Sequence, residues 1–422
     1  MTRDERQNEC VKNWVKSRCV AGIIASTGFG KTRIAIKAIT LLVKKKFPDL
    51  TVLIVVPTSN LKEQWENNLK QFNLEKHCKV EVINTVIKTN WEVDMLVCDE
   101  IHLYASRTFS AIFTCVKYKF ILGLTATFER LDGKHKTIEK YCPICDNVTL
   151  AEVIKNHWIA DYTEYLVLLD VDNLDEYNKI QNENSYHLEY FNFNFDLVMS
   201  LCGKNAHIRR MEYTKALLSN YKGKDFEKVF KDVLKDVTRH SIGFMRTMAS
   251  KKLFINNHSK KLEIANMIIE HRPKSKIITF SNNIKMAEAI KYGQVYSGRD
   301  SKKRSTEILN EFNDVEYGVI NSSKKLITGA DIKGVNCEIV LGQDSSQTRA
   351  SQSAGRVLRV EGDKTSEIFN IVINDTVEVK WFENSHKNRP YIKIDVDNLL
   401  KVLNYEQFDT YKRPSTYFTY RY

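Results

Sequence analysis

No run of this chain is apolar for long enough to span a bilayer; stretches such as VLIVV fall far short of the roughly 20 residues a spanning helix needs. The opening residues, MTRDERQNEC, are polar and charged and lack the apolar centre of a secretory signal. There is no tandem repeat and no low-complexity segment, which sets aside repeat arrays and disordered tracts. The nine cysteines are odd in number and irregular in spacing, which argues against a disulfide framework and for reduced thiols in a cytosol-like compartment, the host's if the chain is phage-borne. CPIC, with Cys142 and Cys145, has no second pair at zinc spacing, so two ordinary buried thiols are expected there. A nuclease carboxylate–lysine cluster and a GTPase base-reading motif are also missing.

What is present is globular. Hydrophobic residues make up 43% and charged residues 27% of 422 positions, enough for two or three domains with cores of their own. The net charge of +12 favours a polyanionic partner, since each cation placed on a phosphate releases a counterion.

Short apolar runs alternate with amphipathic helical patterns from Val20 to about Val171. VAGIIA, TVLIVVP, VEVIN, DMLVCD, KFILGLT and EYLVLLDV read as buried strands of a parallel sheet with helices on both faces. From Asn173 to about Ala249 the pattern is helical, aromatic and Lys-rich. Alternation resumes with KIITFS, YGVINS, CEIVLG and EIFNIVIN. The expected fold class is α/β: two parallel-sheet domains with a helical insert between them. The boundaries read as 1–157 for the first domain, 158–172 for a crossover and first part of the second, 173–249 for a thumb-like insert, 250–400 for the second domain and 401–422 for a tail.

Two motifs carry chemistry. ASTGFGKT lies between a strand and a helical pattern, the setting of a phosphate loop. Gly28 and Gly30 permit the dihedrals that turn successive N–H groups onto phosphates, and Ser26, Thr27 and Phe29 complete the loop. Lys31 is expected to reach the β- and γ-phosphates of ATP, and Thr32 to ligate Mg²⁺. Ala25 stands where such loops usually begin with glycine. MLVCDEIH then ends a strand in two carboxylates; Asp99 suits the Mg²⁺ shell, and Glu100 suits both that shell and the polarising of an attacking water. Downstream, SQSAGRVLR places Arg356 and Arg359 on one helix face, suited either to a solvated surface or to neutralising a transferring phosphoryl group.

The ordered set resembles superfamily 2 helicases and translocases, across nearly the whole chain. RQNECVKNW resembles the adenine-reading segment, ASTGFGKT motif I, VVPTSNLKEQW motif Ia, DEIH the DExH form of motif II, LTAT motif III, ITFS motif IV, ITGADI motif V and QSAGRVLR motif VI. VPTSNLKEQW, GLTATFER and YCPICDNVTLAEVIKNHWIADY look most like the branch holding UvsW-type phage helicases, RecG and XPB. The resemblance implies two RecA-like domains and a DNA-dependent ATPase acting on single-stranded, duplex or branched DNA, as a monomer with room for a protein partner. It also implies roles. Gln7 reads adenine, Asp331 touches the ribose and Gln352 the ATP site. His102, Thr125 and Thr127 couple nucleotide state to domain contact, and Thr58, Thr85 and Ser281 hold strand phosphates. Phe128 after TAT, Thr328 and Lys333 in motif V and Ser353 in motif VI depart from the family pattern. RNA-directed ATPases and motor subunits of restriction or transcription complexes share most of these motifs.

In the insert, Lys224, Lys228, Lys231, Lys235 and Arg239 fall on one face of a helical pattern, with Phe226, Val229, Phe230, Val233 and Val237 on another. The basic face reads either as a track along duplex DNA, carried by Lys228 and Lys231, or as a solvated surface softened by Asp225, Asp232 and Asp236. Phe191, Phe193 and Phe195 alternate at period two, which fits a buried strand or packing cluster better than a wedge.

Overall fold

A computed structural model describes residues 1–45, 47–128, 133, 135–323, 332–343, 365–387 and 389–407. The first half of the chain lays down β1 (Val20–Ala25), β2 (Val52–Val56), β3 (Cys78–Val82), β4 (Trp91–Glu92), β5 (Met95–Asp99), β6 (Val116–Lys117), β7 (Phe120–Thr125) and β8 (Ile144–Val148). Six of them form one sheet in the order β3-β2-β5-β7-β1-β8, parallel at every pairing, while β4 and β6 make a separate small ribbon. Successive side chains of a strand point to opposite faces. Val52, Ile54 and Val56 of β2 and Met95 and Val97 of β5 therefore enter one core, and Leu53, Val55, Leu96 and Cys98 the other. Both faces are covered, so these strands read as continuous apolar runs. VEVIN was expected as a strand; the strand is Cys78–Val82, because Ile83 already opens a short helix, Ile83–Val86.

Three helices matter to the site: α1 (Arg3–Lys16), α2 (Lys31–Lys45) and α3 (Ser59–Gln71). A capping box between Thr2 and Glu5 starts α1. Its buried Arg6 donates to both carboxylate oxygens of Asp146 at 2.8 Å and to Glu152 at 2.7 Å, which ties α1 to the β8 end of the sheet. Helix α2 buries Ile34, Ile36, Ile39 and Leu42; each such side chain contributes roughly 1.5–3 kcal/mol of apolar burial.

The second sheet holds β9 (Tyr162–Leu169), β10 (Lys276–Ser281), β11 (Gln294–Tyr296), β12 (Gly318–Ser323), β13 (Cys337–Val340), β14 (Ser366–Ile373) and β15 (Ile392–Ile394), in the order β11-β12-β10-β13-β14-β9-β15. EYLVLLDV thus contributes to this sheet and not to the first. Both sheets belong to one compact unit.

A second unit comprises residues 169–261 with the 373–376 turn. It is built from helices Leu174–Glu189, Phe195–Cys202, Ala206–Leu217 and the long Phe226–Asn256, which continues past residue 249. Phe191, Val198, Leu201, Val237 and Phe244 form its core. The period-two phenylalanines do not form a strand. Asn192 and Phe193 have φ of 53° and 58°, so the chain turns there; Phe191 goes inward and Phe193 and Phe195 remain exposed.

Candidate active site

Strands β1, β5 and β7 are neighbours and parallel, so the loops after their carboxyl ends meet at one edge of the sheet. Those loops begin with Ser26, Glu100 and Ala126. Ala25, the departure from the usual loop, is the fully buried last residue of β1.

The loop itself is held from behind by α1. Gln7 is buried and faces the Phe29 carbonyl oxygen at 2.8 Å; that oxygen only accepts, so the Gln7 atom there is the donating Nε2. Arg3 Nε donates to the same carbonyl at 3.0 Å, and Arg3 Nη2 to the Gly28 carbonyl. Gly28 and Gly30 take φ of 83° and 100°. At Gly30 the positive φ strains any side chain, and a Cβ 2.7 Å from Gln7 Nε2 would also displace that amide from the Phe29 carbonyl. The Phe29 ring is buried, its centroid 5.4 Å from that of Trp158, so Phe29 can meet a ligand only through its backbone. Ser26 is buried, and its carbonyl accepts the Phe29 N–H at 3.1 Å. Thr27 and Thr32 are half-buried, and α2 starts at Lys31, so its first N–H groups open onto the loop.

Across from the loop, Lys31 Nζ lies 2.9 Å from Glu100 Oε1. Glu100 adopts a left-handed conformation, φ 49° and ψ 51°, unusual for a residue with a side chain. That turn aims its N–H at Asp99 Oδ1, at 3.0 Å. Asp99 Oδ2 accepts the indole N–H of Trp65 at 2.9 Å. Burial, and then the adjacent Glu100 carboxylate, push the Asp99 carboxyl up to about 6. Two carboxylates here face one ammonium, so the donor set has the charge and the oxygen chemistry that suit a divalent cation. Among the described residues no cluster of three or more His, Cys, Asp or Glu makes a metal site by itself.

His102 and Thr125 are buried behind this turn. Thr125 Oγ donates its single proton to the Thr127 carbonyl at 2.6 Å, so His102 Nδ1, 2.9 Å away, is the donor to Thr125 Oγ. His102 Nδ1 also lies 3.4 Å from Glu100 Oε2. Lys31 pairs with Glu100, and His102, Thr125 and Thr127 form a hydrogen-bonded set beside it; between the two, His102 Nδ1 approaches Glu100 Oε2 without a hydrogen bond, because its proton goes to Thr125.

Thr58 and Thr85 follow β2 and β3 at the same edge; Thr58 caps α3, and Thr85 is exposed. Ser281 ends β10 but is buried, its hydroxyl donating to the Asn283 carbonyl at 2.8 Å, so its side chain is spent on the backbone. Lys228 and Lys231 are exposed on the Phe226–Asn256 helix. Asp331, Gln352, Arg356 and Arg359, with Thr328 and Ser353, lie outside the described residues.

Residues 1–92 and 84–130 match the family of the type III restriction enzyme res subunit, and residues 259–361 match the helicase conserved C-terminal domain. The chain belongs to the superfamily 2 helicases. It is an ATP-hydrolysing enzyme of a class that binds nucleic acid. This helicase is 25% identical to the DNA 3'-5' translocase XPB2 of Sulfurisphaera tokodaii, covering 89% of this chain and 82% of that protein. It is 23% identical to the putative ATP-dependent RNA helicase MJ1505 of Methanocaldococcus jannaschii, with 90% of this chain and 59% of that protein covered. Dbp5 of S. cerevisiae, solved with RNA and ADP BeF3, shares its fold at TM-score 0.59 and 11% identity, covering 94% of this chain and 91% of that one. Among the described residues of the helicase no helix is long and apolar enough to cross a membrane.

Two functional contacts of the helicase were not anticipated from sequence. Arg3 stands four residues before Gln7 and so shares its helix face, a signal that was available. Trp65 reaches Asp99 across 34 positions, and nothing local announces that.

Proposed function

We propose that this protein is an ATP-dependent DNA helicase or translocase of the UvsW-like kind, which unwinds or branch-migrates forks and Holliday junctions. The placing of the Lys31–Glu100 pair beside the His102–Thr125–Thr127 set carries the reading: it sets a phosphate loop next to the strand end that a motor would use to report nucleotide state. DNA is favoured over RNA because XPB2, described as a DNA translocase, is matched over 82% of its length. The alternative, an RNA-directed ATPase, draws on MJ1505, described as a putative RNA helicase.

In this reading Gln7 accepts from the exocyclic amine of adenine through Oε1, since Nε2 is committed to Phe29. Backbone N–H groups of the loop and of α2 hold the phosphates, and Lys31 neutralises the terminal ones. Thr32, Asp99 and Glu100 would hold Mg²⁺, which when bound shields phosphate charge. Glu100 orients the attacking water and takes up its proton, and Arg356 and Arg359 neutralise charge developing on the transferred phosphoryl group. His102, Thr125 and Thr127 pass the change at Glu100 toward the contact with the second domain. Thr58 and Thr85 grip strand phosphates, a contact with backbone that tolerates any sequence. Ser281 serves through its backbone. Division of the chain into 1–157, 158–172, 173–249, 250–400 and 401–422 accompanies this assignment.

The exposed face of the insert helix is a second candidate contact for nucleic acid. Asp236 pairs with Arg239 at 3.1 Å, whereas Lys224, Lys228, Lys231 and Lys235 make no ion pair among the described residues. Those lysines are exposed, with Asp225, Glu227 and Asp232 at neighbouring positions, and suit duplex phosphates. Movement of a labelled four-way junction tests the function: arms should exchange with ATP and not with a non-hydrolysable analogue. A junction left intact while an RNA duplex is unwound would favour the alternative.

A further inference from the structure

Trp65 sits on α3 seven residues after its cap, Thr58, and hence on the same helix face about 10 Å farther along the axis. Its ring is buried in the core of the first sheet. A buried indole must place its N–H on an acceptor, and here the acceptor is Asp99 Oδ2 at 2.9 Å. The other oxygen takes the Glu100 N–H at 3.0 Å. Two donors in different directions fix the carboxylate plane about a torsion that is otherwise broad. Packing alone would be served by a wholly apolar ring of similar shape.

We propose that Trp65 is a positioning residue for Asp99, and that α3 connects the Thr58 turn to the carboxylate that helps hold Mg²⁺. This rests on the reading above, in which Asp99 ligates the metal and Thr58 a strand phosphate. A helix moves as a stiff rod, so a strand drawn onto the Thr58 turn shifts the indole N–H two turns on. Asp99 follows its donor. Nucleic acid therefore tightens the Mg²⁺ site from outside the nucleotide pocket.

The test measures the Mg²⁺ concentration for half-maximal binding of a directly excited fluorescent ADP analogue to the full chain, with and without single-stranded DNA. In the parent, DNA lowers that concentration. Trp65→Phe removes the N–H; the concentration should rise about 10- to 100-fold, the usual effect of losing a partner behind a metal ligand, and stop responding to DNA. In Trp65→His the imidazole Nε2 takes the ring position of the indole Nε1. This variant loses more packing and should melt below Trp65→Phe, yet stay within about 3-fold of the parent in Mg²⁺ dependence, well inside the loss expected for Trp65→Phe. A purely structural Trp65 would make Mg²⁺ dependence follow the melting order, which would overturn the proposal. So would an unchanged Trp65→Phe beside a raised Asp99→Asn. If Asp99→Asn is unchanged as well, the metal assignment of Asp99 falls with it. Should Trp65→Phe not fold, Trp65→His decides alone: a rise as large as that of Asp99→Asn overturns the proposal.

Discussion

The Lys31 ammonium lies 2.9 Å from the Glu100 carboxylate, although the two residues are 69 positions apart. One comes from the phosphate loop after β1 and the other from the turn after β5, and only the strand order brings them together. On the proposed reading, a terminal phosphate bound here meets both the charge of Lys31 and the base, Glu100. Lys31→Ala and Glu100→Gln should each lower ATP hydrolysis by about 10³-fold or more, as loss of a principal phosphoryl-transfer group does. Glu100→Gln should still bind a fluorescent ATP analogue, because it removes the base and leaves the phosphate contacts. Phosphate release and nucleotide titration check the pair; near-parental hydrolysis in Lys31→Ala would remove the site assignment.

Thr125 stands between His102 and Thr127, accepting from one and donating to the other. Thr125→Val keeps the shape and deletes both bonds, together with the one its hydroxyl accepts from the Thr127 N–H at 3.3 Å. Stimulation of hydrolysis by nucleic acid should fall by roughly 10-fold, the size of an ordinary coupling free energy, and by more than the unstimulated rate falls. Equal loss of both rates would make Thr125 a support of the pocket and not a coupling residue.

Much of this site was legible because its chemistry is local. Gly28, Gly30, Lys31 and Thr32 encode a backbone path and a helix start within one short loop, and Asp99 ends an unmistakable buried strand with Glu100 next after it. What was hidden is set by strand order and by the reach of side chains. The Trp65–Asp99 bond and the place of β9 between β14 and β15 are examples. Of the phenylalanines at 191, 193 and 195, read as a buried strand or packing cluster, Phe191 joins the core, but no strand forms: period two signals a strand only if the backbone stays extended, and Asn192 and Phe193 are left-handed.

Lys251 is buried in the helical unit, with Nζ 2.9 Å from Gln181 Oε1 and 2.7 Å from Asn184 Oδ1, both neutral. Burial lowers its ammonium to about 8. The folded state therefore gives up this proton before the unfolded state, whose lysine titrates near 10.5. Stability should be penalised below pH 8 and rise as pH climbs from about 8 to 10.5. Melting of the full chain against pH, with Lys251→Met as reference, isolates the effect: the variant should lack this rise, and a parallel pair of curves would contradict it.

Lys228→Glu with Lys231→Glu should weaken duplex DNA binding and flatten its salt dependence by about 0.9 in logarithmic slope for each phosphate that is no longer neutralised. Fluorescence anisotropy at several salt concentrations reads both. Unchanged affinity and slope would return this face to the solvent.

The ATP hydrolysis rate, measured with no nucleic acid, single-stranded DNA, duplex DNA, a four-way junction and single-stranded RNA, decides whether this helicase is a DNA motor. Strong stimulation by DNA, greatest with the junction, is the predicted result. Stimulation by RNA alone would contradict it and make this helicase an RNA-directed ATPase.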